Sequence, residues 1–451
     1  MRQVNVAILG GGTVGGGVVE GLGRNGALMA SRLGVQFRVN HVVVRDPKKV
    51  RDFEVDPRLV STDWRRAVSD PETHIVVELV GGMTTARDMV LAALRAGKPV
   101  VTANKALLSA HGEELFAAAR EQGTCLYYEA SVAGGIPIIK VLREALVGNR
   151  ITRLYGILNG TCNYILTRMQ SERAEFAEIL ADAQKLGYAE ADPALDVDGH
   201  DALHKTGILA SLAHGFWVDV DDASVEGIRQ VTPLDMEFAG RLGYTIKLLG
   251  VIKTMDASAP DKAKSSPRKG KVRGGMRVSM VVCPTLVPNR HVMASVAGVF
   301  NAVYVRGDVV GDTLYYGRGA GRSATASAVL SDLADAAHDL KSGPHLRVPP
   351  FASHEEDGAL IPAGEVVSAH YLRLSVTDRP GVLARVATIL ARNQIGISSV
   401  IQPEGHEGGS VPLILMLHDA PRSAVDRALA GIRRLPVVAG EPALFRVETF
   451  D

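Results

Sequence analysis

The sequence predicts an α/β protein in which a helix-flanked parallel sheet comes first, a mixed α+β region follows, and a ferredoxin-like βαββαβ unit ends the chain. Three observations predict it. Short β-branched runs alternate with helix-like stretches through the first third, which implies parallel strands with helices on both faces. A run of glycines stands directly between the first strand and the first helix. From residue 370 onward the texture changes to short strands around two amphipathic helices.

Taken in order, strands are expected at 4–9, 37–44, 75–79, 99–101 and 125–128, with the first helix starting near Gly15. Between Ser131 and Gly250 helical periodicity dominates, and 278–282 and 303–305 read as strands again, so a second, mixed domain is expected. Residues 256–275 are Lys, Ser, Pro, Gly and Ala with almost nothing apolar to bury, which predicts a surface loop. Residues 341–364 are rich in proline and glycine and read as a linker. Beyond it come a strand (372–376), the turn Asp378-Arg379-Pro380-Gly381, a helix (382–392), strands at 397–401 and 411–417, a helix (423–434) and a strand (443–447). That order is βαββαβ.

At 451 residues the chain is long enough for about three domains. With 46% hydrophobic and 22% charged residues it can bury several cores. A formal charge of +1 gives no global field toward nucleic acid or an anionic membrane, so the expected partner is a small molecule. Cys125, Cys162 and Cys283 cannot form a disulfide framework, and Met1 leads into apolar residues and glycines without the features of a signal peptide. No apolar run is long enough to span a bilayer, and a reducing, cytoplasmic setting is expected. Asn159-Gly160-Thr161 matches a glycosylation acceptor, which matters only in a secreted protein.

Gly10-Gly11-Gly12-Thr13-Val14-Gly15 fits G-x-G-x-x-G between a strand and a helix, where backbone N–H groups meet a pyrophosphate. Gly10, Gly12, Thr13, Val14 and Gly15 are therefore candidate cofactor residues, and the first domain is read as Rossmann-type. At the end of the next strand Arg45 stands where an acidic residue would favour NAD, and its guanidinium suits a 2′-phosphate. NADP(H) is the preferred cofactor. Asp46, one residue on, could bind a ribose, so NAD(H) stays open.

The segment from Gly187 through Glu190, Asp192, Asp196, Asp198 and Asp201 to Lys205 crowds carboxylates and one lysine onto a loop entering a helix. Asp201 and Lys205, four residues apart, share a helical face. Spacing alone fits a surface ion pair as well as a site. Beside a nicotinamide, however, aldehyde reduction needs a proton donor at the carbonyl oxygen and an anion for the substrate's ammonium, and this cluster supplies both. His200-Asp201-Ala202-Leu203-His204 also imitates a zinc helix, but Ala210 falls where the longer motif has its third histidine.

Together, the glycine run to Gly17, Val101-Thr102-Ala103-Asn104-Lys105-Ala106-Leu107-Leu108, Glu129-Ala130-Ser131-Val132-Ala133-Gly134-Gly135-Ile136-Pro137, Leu158-Asn159-Gly160-Thr161-Cys162-Asn163-Tyr164, the acidic cluster with Lys205, and Gly317-Arg318-Gly319-Ala320-Gly321 resemble homoserine dehydrogenase. The resemblance spans residue 1 to about 340. It implies Lys205 as proton donor and acceptor with Asp201, substrate binding by Glu190, Asp201 and Asp196, and Lys105 at the junction of cofactor and substrate. Thr13, Val14, Gly187 and Gly317 would border the nucleotide. A sodium ion is implied on main-chain oxygens around Glu129, Val132, Gly134 and Ile136, and a ring of carbonyls suits such a hard cation. Cys283 and the insertion at 256–275 depart from the family's pattern.

From His370 the chain resembles an ACT domain, with 378–381 as its ligand loop and threonine as the implied effector. The domains expected are thus 1–130, completed by about 311–340; a substrate and dimerisation domain, 131–310; a linker, 341–369; and the ACT domain, 370–451. A homodimer or homotetramer is expected. Two rival functions stay open: an acylating semialdehyde dehydrogenase using Cys162 as nucleophile, and an amino-acid sensor on an inactive dehydrogenase.

Overall fold

A computed structural model describes residues 2–255, 275–343, 347–403 and 409–450. The basic stretch read as a surface loop lies outside the described residues except for Gly275. In β1 (Arg2–Leu9), residues from Val4 on are buried without alternation, because both faces of a parallel sheet are covered. After it come α1 (Thr13–Leu33), β2 (Val35–Val43), β3 (Val60–Ser61), α2 (Trp64–Ser69), β4 (Ile75–Glu78), α3 (Thr84–Arg95), β5 (Val100–Thr102), α4 (Lys105–Glu121) and β6 (Leu126–Tyr127). The six strands run parallel in the order β3-β2-β1-β4-β5-β6. Winding reverses between β1 and β4, which opens a crevice at the strands' carboxyl ends.

The second region comprises α5 (Ile138–Lys140), β7 (Ile151–Ile157), α6 (Gly160–Glu172), α7 (Phe176–Lys185), α8 (Ala194–Val197), α9 (His200–His214), β8 (Ser224–Val225), α10 (Pro233–Arg241), β9 (Tyr244–Met255), β10 (Arg277–Pro288), β11 (Phe300–Gly307), β12 (Gly311–Arg318) and α11 (Arg322–Ser342). Helix α11 returns to the first sheet. Arg322 at its start pairs with Glu20 of α1 at 2.9 Å, and Val329, Leu333 and Ala336 join the core beneath β1.

The C-terminal region holds β13 (Ala359–Leu360), β14 (Val367–Thr377), α12 (Val382–Arg392), β15 (Ile397–Ile401), β16 (Ser410–Pro421), α13 (Arg422–Ile432) and β17 (Val438–Val447). β14 begins earlier than its apolar run because Val367 and Ser368 pair with Pro421 and Ala420, although Ser368 and His370 are polar. The βαββαβ unit does not stand apart. β17 pairs in parallel with β10, through Thr285 with Arg446 and Leu286 with Val447, so both regions share one eleven-stranded sheet. Side chains reinforce the join: Arg373 Nε donates to Asp235 of α10 at 2.6 Å, and Lys253 Nζ to Glu448 at 2.6 Å. The stretch read as a linker is likewise anchored, for Tyr128 donates to the Pro350 carbonyl at 2.8 Å and Phe351 packs between Phe116 and Trp217. No helix among the described residues is long and apolar enough to cross a membrane.

Candidate active site

The glycine loop occupies the crevice beside the winding reversal. Gly15 must be glycine, since a Cβ there would lie 1.9 Å from the Gly10 carbonyl oxygen. Around Gly12, by contrast, a Cβ would meet nothing within 4 Å, and α1 begins there with no side-chain cap. The first N–H groups of α1 are therefore free to hold an anion. Thr13 and Val14 form its first turn. Arg45, just past β2, is exposed and its side chain bonds to none of the described residues, whereas Asp46 Oδ1 accepts from Lys48 N at 2.8 Å. Two groups that sequence reasoning missed shape the neighbouring crest. Buried Glu78 at the end of β4 accepts from Val80 N at 2.8 Å and from Thr102 Oγ1 at 2.6 Å, and Asn104 donates to the Gly82 carbonyl at 2.7 Å. Asn104 also caps α4 through Leu107 N, which sets Lys105 in the first helical turn.

Helix α9 brings the second set of groups to this crest. Lys205 Nζ donates to Asp201 Oδ2 at 2.7 Å and to the Leu158 carbonyl at 2.9 Å. Lys105 Nζ, from the nucleotide side, lies 3.1 Å from Asp201 Oδ1. Asp201 is thus held between two ammonium groups from two domains. Burial alone would raise its pKa, but Lys205, Lys105 and the hydrogen bonds outweigh burial and hold the carboxyl far below the usual range. Asp196 on α8 joins through Asn159, whose Nδ2 donates to Asp196 at 2.7 Å and to Asp201 at 2.8 Å. Burial pushes the Asp196 carboxyl up, against the lowering effect of that bond. Asn159 also caps α6 by accepting from Cys162 N at 2.7 Å. In the sequence Asn159 stands out as a glycosylation acceptor and as part of the Leu158–Tyr164 stretch that carries the resemblance, and an asparagine immediately before a helix is also the signal of a cap.

An ammonium has three N–H donors. In Lys205 two are engaged by Asp201 and Leu158, and the third is available to an oxygen in the crevice. The arrangement can therefore give a proton to a carbonyl oxygen or take one from a hydroxyl, with Asp201 stabilising the charged lysine.

Not every expected residue gathers here. The Glu190 side chain is exposed and bonds to none of the described residues. Gly187 sits in an exposed turn after α7. Gly317 lies on β12 against Ile136. Cys162 is fully buried with its thiol pushed well up by burial and by Asp196, and it donates to the Asp196 carbonyl at 3.2 Å. A fully enclosed thiol with a raised pKa is a poor nucleophile, so the acylating reading finds no support here. Among the described residues no group of three or more His, Cys, Asp or Glu side chains could hold a metal ion, and His200 is exposed. The zinc reading gains nothing.

The loop expected to hold sodium is tightly built. Glu129 accepts from Ile139 N at 2.9 Å and Lys140 N at 2.8 Å, and burial pushes its carboxyl up to about 7 against those bonds. Gly135 N donates to the Arg318 carbonyl at 2.9 Å, which docks this loop on 318–320. The Ile136 carbonyl already accepts from Ile138 N at 2.8 Å. Val132 and Gly134 are buried, and among the described residues no donor reaches their carbonyl oxygens. Buried carbonyls without donors fit a hard cation.

Comparison with known proteins agrees with this geometry. Family models described as homoserine dehydrogenase, NAD binding domain, as homoserine dehydrogenase, and as ACT domain match residues 10–129, 137–334 and 370–434. The chain is 44% identical to the homoserine dehydrogenase of Pseudomonas aeruginosa, over 100% of both chains. Among solved structures, a homoserine dehydrogenase from Thiobacillus denitrificans superposes with a TM-score of 0.87 at 42% identity, covering 99% of each chain. A hyperthermophilic archaeal homoserine dehydrogenase in complex with NADPH superposes with a TM-score of 0.60 at 26% identity, over 75% of this chain and 98% of that one.

Proposed function

The chain belongs to the homoserine dehydrogenase family, and from that premise we propose that Lys205 is the proton donor and acceptor in the interconversion of aspartate 4-semialdehyde and homoserine. The observation that carries the proposal is the Lys205–Asp201–Lys105 chain, which sets a charged donor at the seam between nucleotide and substrate regions. The nicotinamide cofactor, when bound, supplies or takes the hydride at the substrate carbon. Lys205 gives its proton to the oxygen as the aldehyde is reduced and takes one when homoserine is oxidised. Asp201 orients Lys205, and Asp196, held by Asn159, faces the same space as an anion for the substrate's ammonium. Glu190 reaches that ammonium only if the 187–192 turn folds inward.

Gly10, Gly12, Thr13, Val14 and Gly15 hold the pyrophosphate at the start of α1, Lys105 and Gly317 border the nicotinamide end, and Gly187 lies on the rim. NADP(H) is the preferred cofactor. Arg45 is free to meet a 2′-phosphate while Asp46 is committed to its own turn, and the NADPH complex of the archaeal relative supports the choice. Charge-assisted hydrogen bonds of this kind contribute about 1.5–3 kcal/mol. Arg45→Ala should therefore raise the KM for NADPH by roughly tenfold to a hundredfold and spare NADH. Equal losses with both cofactors would remove Arg45 from the assignment. Val132 and Gly134, with Glu129 and Ile136, are the carbonyls that would take a sodium ion.

The ACT domain is the proposed site of threonine, which acts on the active site from a distance and so through a coupling free energy. Truncation before His370 is a poor test, because it would strip β14 and β17 from the shared sheet and take Arg373 from buried Asp235 and Glu448 from Lys253. Calorimetry and steady-state rates with threonine on the full chain are better. Heat of binding together with a changed rate is expected, and an absence of heat sinks the idea.

A further inference from the structure

The Leu158 carbonyl that accepts from Lys205 has a second ligand. Asn301 of β11 donates to it through Nδ2 at 3.0 Å. A carbonyl oxygen has two lone pairs, and these two donors, 2.9 Å and 3.0 Å away, fill both. Asn301 is 1% exposed and faces Gly317 across the β11–β12 pair. Space for its amide is made by a glycine, because a Cβ on Gly319 would stand 2.0 Å from it. Its Oδ1 meanwhile finds no donor among the described residues. A buried acceptor without a partner is unfavourable, so the amide is explained by what its N–H does rather than by a fully satisfied pair of bonds.

We propose that Asn301 is a positioning residue for Lys205, acting through the Leu158 carbonyl. It fixes the carbonyl that accepts from the catalytic lysine, so the ammonium is oriented by Asp201 on its own helix and by a carbonyl held from the neighbouring strand. This rests on the reading of Lys205 as proton donor and acceptor.

The test compares pH–rate profiles of the full-length enzyme in the direction of aldehyde reduction, which requires a protonated Lys205. Asn301→Leu removes the donor at similar volume. Its kcat should fall about tenfold to a hundredfold, the scale for a misplaced catalytic group. Its alkaline limb should move to lower pH, because the carbonyl no longer faces the ammonium. Asn301→Asp adds a carboxylate nearby, so its limb should move to higher pH while kcat again falls. A merely structural role would lower kcat or stability and leave the limb of Asn301→Leu in place, and that result overturns the proposal. If Asn301→Leu does not fold, an unmoved limb in Asn301→Asp overturns it equally. Lys205→Met separates the two readings. A wild-type limb that survives in Lys205→Met removes the lysine from the mechanism, whereas a limb that disappears there but stays unmoved in the Asn301 variants removes Asn301 alone.

Discussion

Lys205→Met should cut the turnover number by about two to four orders of magnitude, the usual range for a lost acid–base group. The aldehyde oxygen gains negative charge in the transition state, so a proton or ammonium there stabilises the transition state more than bound substrate. Methionine keeps the unbranched stem of the side chain and removes the ammonium, with its charge and its bonds to Asp201 and the Leu158 carbonyl. Nucleotide affinity should change little, because Gly10 to Gly15 and the start of α1 lie on a different element. Stopped-flow or steady-state absorbance of the reduced nicotinamide gives kcat, and fluorescence titration gives the nucleotide Kd. Near-normal turnover would transfer the role to Lys105, whose ammonium lies 3.1 Å from the same carboxylate.

How much of this could be read from the residues depends on the range over which the information acts. The glycine loop, the Asp201–Lys205 spacing and the βαββαβ order are local patterns, and periodicity or turn chemistry exposes them. Asn301 is different. Nothing near residue 301 marks it, and it acquires meaning only when β11 pairs with β7 and β12 and brings it to Leu158. The sharing of one sheet by the middle and C-terminal regions has the same origin. β10 and β17 are far apart in sequence and meet through Thr285 and Arg446. Glu190, which the resemblance places at the substrate, differs from Asp201 in that its side chain is exposed and bonds to none of the described residues.

The cluster's electrostatics make Asp201→Asn the second large effect. Asparagine preserves shape but removes the charge held between Lys105 and Lys205, which leaves two neighbouring ammonium groups with no counter-ion on that side chain. Removing one partner of a buried ion pair typically costs about 3–5 kcal/mol. Lys105 is 32% exposed at its side chain, so solvent screens part of the repulsion and the lower end of that range is expected. The sign of the pH dependence follows from the direction of the Asp201 shift. Its folded pKa is depressed, so its stabilisation is fully present above the unfolded carboxylate value of about 4 and is lost as pH falls below it. The stability gap between wild type and Asp201→Asn should therefore be constant from neutral pH to about 4 and narrow below that. Turnover should fall along with affinity for homoserine, because the variant disturbs both the orientation of Lys205 and the anionic character of the site. Denaturant titrations at several pH values, paired with kcat and KM at pH near 7, read both effects. A gap that narrows already between neutral pH and about pH 5 would assign the stabilisation to another group, because Asp201 is ionised throughout that interval in both folded and unfolded chains.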